Sequence, residues 1–375
     1  MTSSHTIMLP MCRSEADLYP FPSRNKGFSL VEIMVALVIG MLAAIIIMQV
    51  FALSEDRKRT ATSGGDALSG GVVALYAIQR DIRMSGYGIA DQSLLGCNLV
   101  LPSGATLNVM APVTINPAGI TGQDPNTDIL RVVYANTSGS PQGDPTILAG
   151  TATTYAVQTP NTFSVNDWVL AGPQTRPTPC NLVMGKVTNV AGSTVTVTAG
   201  TATTTGDHVF NLGAAPMVLV YAIRNGNLTV CDYMVNNCGS AANNASSAVW
   251  VPIENNIVSL RAQYGVDTSG TMDGIVDAYQ QTIPSTSTLT ACNMARISAL
   301  RVALVARSVH FEKTAVTTAA PSWPGSAGAP IDVSKNSDGS ANSYWQNYRY
   351  KLFQTVMPIR NVIWMDFSVL HGLGC

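Results

Sequence analysis

Residues 28–53 read FSLVEIMVALVIGMLAAIIIMQVFAL, and this stretch decides how the rest of the chain is interpreted. Its polar side chains are Ser29, Glu32 and Gln49. A helix of this length measures about 39 Å, which is enough to cross the hydrocarbon core of a bilayer. A core helix of a soluble protein seldom stays apolar over so many positions. The sequence therefore predicts a membrane-spanning helix over residues 28–53.

The chain as a whole is poor in charge. Charged residues make up 11% of the 375 residues, against about 25% in an average protein. Lys and Arg number 21, Asp and Glu number 22, and the net charge is −1. This balance argues against a broad basic face for nucleic acid or for a membrane surface, so no nucleic-acid partner is expected. Ser, Thr, Asn, Gly and Ala fill the chain instead, which is typical of an extracytoplasmic β-rich protein.

The amino-terminal boundary of the apolar stretch is unlike a secretory signal. A secretory signal places its cleavage site after the apolar core, whereas here a polar leader, residues 1–27, ends in Lys26-Gly27 directly before it. Basic residues flank the stretch on both sides, so charge does not set its orientation. Glu32 lies inside the stretch, where a carboxylate is costly and indicates a function. A plain signal anchor with an incidental Glu is the alternative interpretation.

The junction at residues 25–32, NKGFSLVE, resembles the class III signal of type IV prepilins and type II secretion pseudopilins. The resemblance implies that a membrane prepilin peptidase cleaves between Gly27 and Phe28 and methylates the new amino-terminal Phe28. Glu32 then becomes the fifth residue of the mature chain. Its carboxylate can neutralise the free amine within one subunit or between neighbours in a filament, so we expect Glu32 to matter for assembly.

Beyond the apolar stretch, the sequence predicts an amphipathic continuation of the helix over residues 54–88. Its apolar positions recur at helical spacing: Leu68, Val72, Leu75 and Ile82. Polar residues fall on its other faces: Arg80, Asp81 and Arg83. Because glycine costs about 1 kcal/mol relative to alanine inside a helix, Gly64-Gly65 and Gly70-Gly71 predict a bend or a break. Gly86-Tyr87-Gly88 predicts the end of the helix.

From residue 89 onward the apolar period is mostly two, which predicts one large antiparallel β-rich domain over residues 89–375. The clearest signal is a hairpin in which Asn225-Gly226, a preferred type I′ turn, joins strands 217–223 and 228–233. The other predicted strands are 129–134, 163–170, 183–190, 195–199, 257–264, 297–307 and 348–359. Segments 135–154 and 314–343 are predicted to be long surface loops.

Several segments resemble the PilW family of minor pilins, in the order in which that family has them. They are residues 78–88 (IQRDIRMSGYG), 259–267 (SLRAQYGVD), 299–308 (ALRVALVARS), 348–353 (YRYKLF) and 358–361 (PIRN). The resemblance implies an α+β, type IV pilin-like fold, in which a long N-terminal helix packs on a large antiparallel β-rich domain. It also implies a minor pilin that primes a type IV pilus or sits at its tip and supports adhesion and twitching motility. Pseudopilins of the GspJ type share parts of this arrangement of segments. A minor pseudopilin of a type II secretion system is therefore the alternative to a minor pilin.

The same resemblance implies partners and a location. The partners would be the prepilin peptidase, the major pilin, other minor pilins, a PilY-type tip adhesin and the inner-membrane assembly platform. The protein would reside in the inner membrane with its C-terminal domain in the periplasm and would reach the pilus tip on assembly. The size of the domain favours the tip independently, because so large a head would crowd a densely packed shaft.

The chain contains seven cysteines, of which Cys12 lies in the leader. The six others predict disulfides in an oxidising compartment: Cys97, Cys180, Cys231, Cys238, Cys292 and Cys375. Cys231 and Cys238 form the easiest local pair, and the other pairings stay open. A zinc site has little support, because the sequence has no Cys-x2-Cys and its His residues are not clustered.

An acidic turn contains Asp267, Asp273 and Asp277. Members of the resembling family often carry a tighter Asp- and Gly-rich turn here that resembles a calcium loop. Calcium takes six to eight oxygen ligands, and in this chain Ser269 stands where a further carboxylate or amide would be expected. A calcium site at the three aspartates and a solvated loop in which aspartates form turns both stay open.

Catalytic signatures are missing from the sequence. It contains no G-x-S-x-G elbow, no phosphate loop and no H-E-x-x-H, so we expect no enzymatic activity. The alternative to a structural subunit is a signal-anchored periplasmic enzyme or binding protein. The two classes differ at Gly27, because a filament subunit loses the leader and keeps the apolar helix, whereas a signal anchor keeps both.

Overall fold

A computed structural model describes residues 27–363 except residues 90, 92, 138, 175, 271 and 286–289. The predicted leader before Gly27, and Cys375, lie outside the described residues. The chain divides into two units, residues 1–58 and residues 59–375. The long helix α1, Leu30–Met84, contributes to both units. Its residues up to Lys58 are exposed, and its later turns pack on the β-rich unit.

The regular structure after α1 is mostly strand. Within the described residues, two short α-helices follow, α2 (Thr290–Ala295) and α3 (Arg360–Ile363). The strands of the described residues are β1 Asn98–Val100, β2 Thr106–Leu107, β3 Val113–Ile115, β4 Leu130–Tyr134, β5 Asp144–Pro145, β6 Thr154–Ala156, β7 Trp168–Gly172, β8 Asn181–Val183, β9 Gly185–Ala191, β10 Thr194–Val197, β11 His208–Gly213, β12 Met217–Arg224, β13 Asn227–Asp232, β14 Val251–Glu254, β15 Ile257–Val266, β16 Ala278–Gln280, β17 Ile297–Arg307 and β18 Tyr350–Pro358. Single-turn 3-10 helices lie at Pro160–Thr162, Ala241–Asn243 and Trp345–Asn347.

These strands form four sheets. Their orders are β2-β1-β8, β5-β11-β7-β9-β10-β6, β14-β13-β12-β4-β3 and β16-β15-β17-β18. Among the described strands, β1 and β8 pair in parallel and the other pairs are antiparallel. A long apolar N-terminal helix and a large, mainly antiparallel β-rich domain are therefore confirmed.

The strongest strand predictions match the structure closely. Strands β12 and β13 form the predicted hairpin, in which Asn225 and Gly226 take the positive φ values, 51° and 70°, that a type I′ turn requires. Strand β17 has the predicted bounds. The predicted strand 163–170 was too long at its start, because Ser164 N–H donates to the Asp167 carboxylate (2.8 Å) in a turn and β7 begins only at Trp168.

Helix α1 runs without interruption through both glycine pairs, so the predicted bend or break is wrong. A Cβ on Gly71 would lie 2.0 Å from a ring carbon of Phe353 in β18, and a Cβ on Gly70 would lie 2.9 Å from the Glu254 carboxylate. These two glycines let the sheets approach the helix closely. The predicted stop at Gly86-Tyr87-Gly88 is confirmed, since Gly86 takes a φ of 82°, but α1 already ends at Met84, before the end of the predicted range 54–88.

The face of α1 that packs on the domain differs from the predicted one. Ile82 is buried and Leu75 packs against the core, as predicted, but Leu68 and Val72 are exposed (53% and 54%). Asp81, predicted on another face, is fully buried. The buried residues are mostly small: Ser63, Ala67, Gly70, Gly71, Ala74, Ile78, Asp81 and Ile82. Small residues allow close approach, and the bulky side chains at the contact come from the sheets.

The sheet containing β12 is covered on both faces, which explains its nearly continuous apolar sequence. One set of β12 side chains joins the core that α1 completes with Ile78 and Ile82: Leu219, Tyr221 and Ile223. The alternate set joins a second core: Val218, Val220 and Ala222. Consecutive residues of a strand point to opposite faces, so one strand serves both cores.

Part of segment 314–343 is not a surface loop as predicted. Its apolar side chains are buried against the second face of β17, where Ala303 and Val305 lie: Trp323, Ala329, Ile331 and Val333. On that face Arg301 stacks over Tyr279 (3.9 Å from guanidinium carbon to ring centre). The segment therefore covers a face of the sheet for which the strand pattern in the sequence predicted no covering element.

Candidate functional site

The predicted cleavage site lies immediately before α1. Gly27 and Phe28 are exposed, and Phe28 is 81% exposed. Apart from the adjacent residues of the chain, no atom of the described residues lies within 4 Å of a Cβ placed on Gly27. The bond between the two residues is therefore not part of any packed core, and its cleavage would disturb no tertiary contact of the described residues.

Glu32 lies in the first turn of α1 and caps the start of the helix. Its Oε2 accepts a hydrogen bond from the Ser29 backbone N–H (3.2 Å), and the Ser29 carbonyl accepts one from Ile33 N–H (3.2 Å). A Ser followed three residues later by a Glu is the sequence signature of a capping box. A carboxylate in the first turn is also favoured by the positive end of the helix dipole. The sequence interpretation missed this role, although the Ser29-x-x-Glu32 spacing signals it.

The first half of α1 presents apolar side chains on every side. Among the described residues, α1 alone contains a stretch that is long and apolar enough to cross a membrane. Its large side chains are well exposed, for example Met48 at 73% and Phe51 at 72%. A contiguous apolar surface of this extent marks a site of contact with lipid or with another protein.

The second half of α1 also leaves an apolar stripe uncovered. Leu68, Val72 and Tyr76 are spaced four residues apart, so they lie on one face of the helix. They are 53%, 54% and 67% exposed. The opposite face, which carries Ala67, Ala74 and Ile78, is buried on the sheets.

Asp81 ties the last turn of α1 to two strands. Its fully buried carboxylate accepts hydrogen bonds from the Tyr221 hydroxyl of β12, from the Tyr134 hydroxyl of β4 (3.2 Å) and from Arg80 Nε (2.9 Å). Charged acceptors form the stronger hydrogen bonds in proteins. The sequence interpretation missed this cluster, and the signal for it is an acidic residue in the last turn, where the helix dipole disfavours one.

The electrostatics of this cluster keep both phenols protonated. Burial, followed by the negative charge of Asp81, raises the pKa of Tyr134 to about 12. The same causes raise the pKa of Tyr221. Both hydroxyls therefore stay neutral donors to Asp81 at physiological pH.

The cysteines within the described residues form disulfides, as expected for an oxidising compartment. Cys231 bonds with Cys238, which is the predicted local pair. Cys97 bonds with Cys180 beside the parallel pairing of β1 and β8, in which Asn98 lies opposite Asn181. Cys292 is also disulfide-bonded.

The acidic turn, residues 267–277, connects β15 to β16. Its three carboxylates each accept backbone N–H groups of the turn itself. Asp267 accepts from Ser269 N (2.8 Å) and Gly274 N (2.7 Å). Asp273 accepts from Ile275 N (2.9 Å), and Asp277 from Thr268 N (2.7 Å). The described residues contain no group of three or more His, Cys, Asp or Glu side chains that could hold a metal ion, so the three aspartates do not converge.

The negative charge of Asp267 is stabilised within the turn. Burial alone would raise the pKa of Asp267, but hydrogen bonds from Ser269 and Gly274 and the charge of Arg296 outweigh it and lower that pKa below its ordinary value. Asp267 is therefore a carboxylate, and its oxygens are already engaged within the turn.

Comparison with known proteins gives two family matches. Residues 220–361, from β12 to α3, match the family described as type IV pilus-assembly protein W, PilW. Residues 22–48, which include Gly27, Phe28 and Glu32, match the prokaryotic N-terminal methylation motif. A type IV-like pilin from Thermus thermophilus superposes with a TM-score of 0.30 and 8% sequence identity, over 80% of this chain and 96% of that one. No curated protein gives a significant match.

Proposed function

Because the chain carries a PilW-family domain behind a prokaryotic N-terminal methylation motif, we propose that it is a minor pilin that primes assembly of a type IV pilus and sits at the filament tip. The observation that carries the proposal is the exposed apolar half of α1 directly after that motif. Such a surface needs an apolar environment, and both a bilayer and the packed helices of a filament provide one. The same helix can therefore hold the subunit in the membrane before assembly and pack against other helices in the filament afterwards.

In this proposal, the prepilin peptidase cleaves between Gly27 and Phe28 and methylates Phe28. The exposure of both residues supports access of the enzyme to the bond. The capping box does not depend on the leader, because its donor is the backbone N–H of Ser29, which the mature chain retains. The mature helix would therefore start with the same capping hydrogen bond.

The tip location is supported by the size of the β-rich domain. The described part of the domain contains four sheets and an additional covering layer formed by residues 323–333. A head of this size would exclude neighbours from a closely packed shaft, whereas the end of a filament has room for it. The proposed partners there are other minor pilins, the major pilin, a PilY-type adhesin and the inner-membrane assembly platform, and the proposed role is structural rather than enzymatic.

Deletion of the gene tests this function. We expect few or no surface pili, with the major pilin still present in the inner membrane, and immunogold labelling of the complemented strain at filament ends. Dense, regular labelling along the shaft would contradict a tip role. Normal piliation together with a defect in protein secretion would instead support a pseudopilin of a type II secretion system.

The role of Glu32 can be separated into charge and capping by two substitutions. Glu32→Ala removes both the charge and the hydrogen bond to Ser29, whereas Glu32→Gln removes the charge and keeps a capping acceptor. If charge pairing with the methylated amine drives assembly, both variants should lower incorporation into pili several-fold. If Glu32→Gln assembles like wild type and Glu32→Ala does not, capping is the essential role.

A further inference from the structure

Arg296 occupies the inner side of the acidic turn, residues 267–277. It is the single residue between α2 and β17, and it is 8% exposed. One terminal nitrogen, Nη1, donates to the main-chain carbonyls of Ser269 (2.7 Å) and Asp267 (3.3 Å). The Arg296 carbonyl in turn accepts a hydrogen bond from Asp267 N–H (2.9 Å). The guanidinium thus contacts the oxygens that face inward from the start of the turn.

We propose that the Arg296 guanidinium is the resident cation of this turn and that the turn folds without calcium. In a calcium loop, carboxylate and carbonyl oxygens converge on the ion. Here the carboxylates of Asp267, Asp273 and Asp277 are directed to backbone N–H groups, and the inward carbonyls are directed to the guanidinium. The oxygens that would have to coordinate calcium therefore accept hydrogen bonds instead, the carboxylates from backbone N–H groups and the carbonyls from the guanidinium.

The strand register holds Arg296 in this place. Ile297, the next residue, pairs with Val266, the residue before Asp267. Arg296 is therefore fixed opposite the first residue of the turn by the β15–β17 ladder, independently of any side-chain choice. A divalent ion entering the turn would meet the positive charge of Arg296, and like charges repel.

Thermal unfolding of the full-length protein in detergent tests the inference. The protein is first stripped with a chelator, and calcium is then raised into the millimolar range, where even weak extracellular sites fill. We expect the melting temperature of the wild-type protein to stay the same in chelator and in calcium. A calcium-dependent rise in that temperature would overturn the inference, and this measurement needs no variant.

Substitution of Arg296 provides the second measurement. Arg296→Met keeps a long apolar stem and removes the charge, so we expect a melting temperature at least about 4 °C lower than wild type. Arg296→Lys keeps the charge and should recover part of the loss. Arg360→Met is the matched control, because Arg360 is exposed on α3 and should tolerate the change. An Arg296→Met protein as stable as wild type would contradict the role, and failure of Arg296→Met alone to fold would agree with it. The inference concerns folding of the domain and is independent of the proposed function.

Discussion

The two halves of α1 are both regular α-helix, but they differ in where their large and small side chains lie. Up to Leu53 the helix exposes bulky apolar residues in all directions. From Arg59 to Met84 it turns small residues such as Gly71 and Ala74 toward the sheets and leaves larger ones such as Val72 exposed. Bulky residues on all sides suit lipid or several helices as neighbours, whereas a face of small residues suits one closely packed sheet. Side-chain size, more than hydrophobicity, distinguishes the two environments.

Each half also carries one carboxylate with a defined task. Glu32 is exposed at the start and caps the first turn through Ser29 N–H. Asp81 is fully buried near the end and accepts from Tyr134 and Tyr221. The exposed carboxylate remains available to a partner, while the buried one fixes the helix to its own domain. Substitutions in the two halves should therefore separate assembly from folding.

The largest expected effect concerns the start of the first half. Gly27→Ala should prevent cleavage by the prepilin peptidase, so that the chain keeps residues 1–27 and does not enter pili. Because no non-adjacent atom of the described residues lies within 4 Å of the added methyl group, the fold itself should not change. Intact-mass measurement of membrane-extracted protein, with methylation of Phe28 as the marker, checks the result.

Gly40→Ala is the matched control for this prediction. Gly40 also has nothing within 4 Å of an added Cβ, and it lies inside the apolar stretch. The control should be cleaved and methylated like the wild-type protein. A Gly27→Ala chain that is processed normally would show that the cleavage site lies elsewhere.

In the second half, the largest expected effect is that of Asp81→Ala. The substitution leaves the buried Tyr221 hydroxyl without its acceptor, and such a loss costs about 1–3 kcal/mol for each buried group. We expect the free energy of unfolding to fall by about 2–3 kcal/mol. Asp81→Asn keeps an acceptor oxygen and should cost less. If Asp81→Ala and wild type unfolded at the same temperature, the hydrogen bonds from Tyr134 and Tyr221 to Asp81 would not stabilise the packing of α1 on the strands.

These two halves also show what the sequence can predict. Local patterns identify the apolar stretch, the β12–β13 hairpin through Asn225-Gly226, and the bounds of β17, because neighbouring residues determine them. The buried face of α1 was not predictable from apolar spacing, since glycine and alanine carry little hydrophobic signal and still form the closest contacts. Arg296 contacts Ser269 across the chain, and no local pattern joins two such distant positions.

A smaller effect is expected from the glycines of the second half. Gly71→Ala places a Cβ 2.0 Å from the Phe353 ring, and overpacking of this kind costs about 1–3 kcal/mol. Gly65→Ala meets nothing within 4 Å and should be neutral or should gain up to about 1 kcal/mol from helix propensity. Thermal unfolding of the two variants should shift in opposite directions or differ clearly. Equal shifts would show that β18 does not pack on Gly71 as described.

The smallest effect on stability is expected from the exposed stripe of the second half. Val72→Ser combined with Tyr76→Ser changes side chains that are 54% and 67% exposed, and surface substitutions usually alter stability by no more than about 0.5 kcal/mol. If the stripe contacts a neighbouring pilin, incorporation into pili should nevertheless fall, because an apolar contact surface has been replaced by hydroxyls. Ser69→Ala, on an exposed position of the same helix, is the control and should leave incorporation unchanged.

The measurement is the amount of protein in sheared pili relative to the membrane pool, together with the melting temperature. A loss of incorporation at constant melting temperature would assign the stripe to assembly, whereas unchanged incorporation would confine the assembly surface of α1 to its first half.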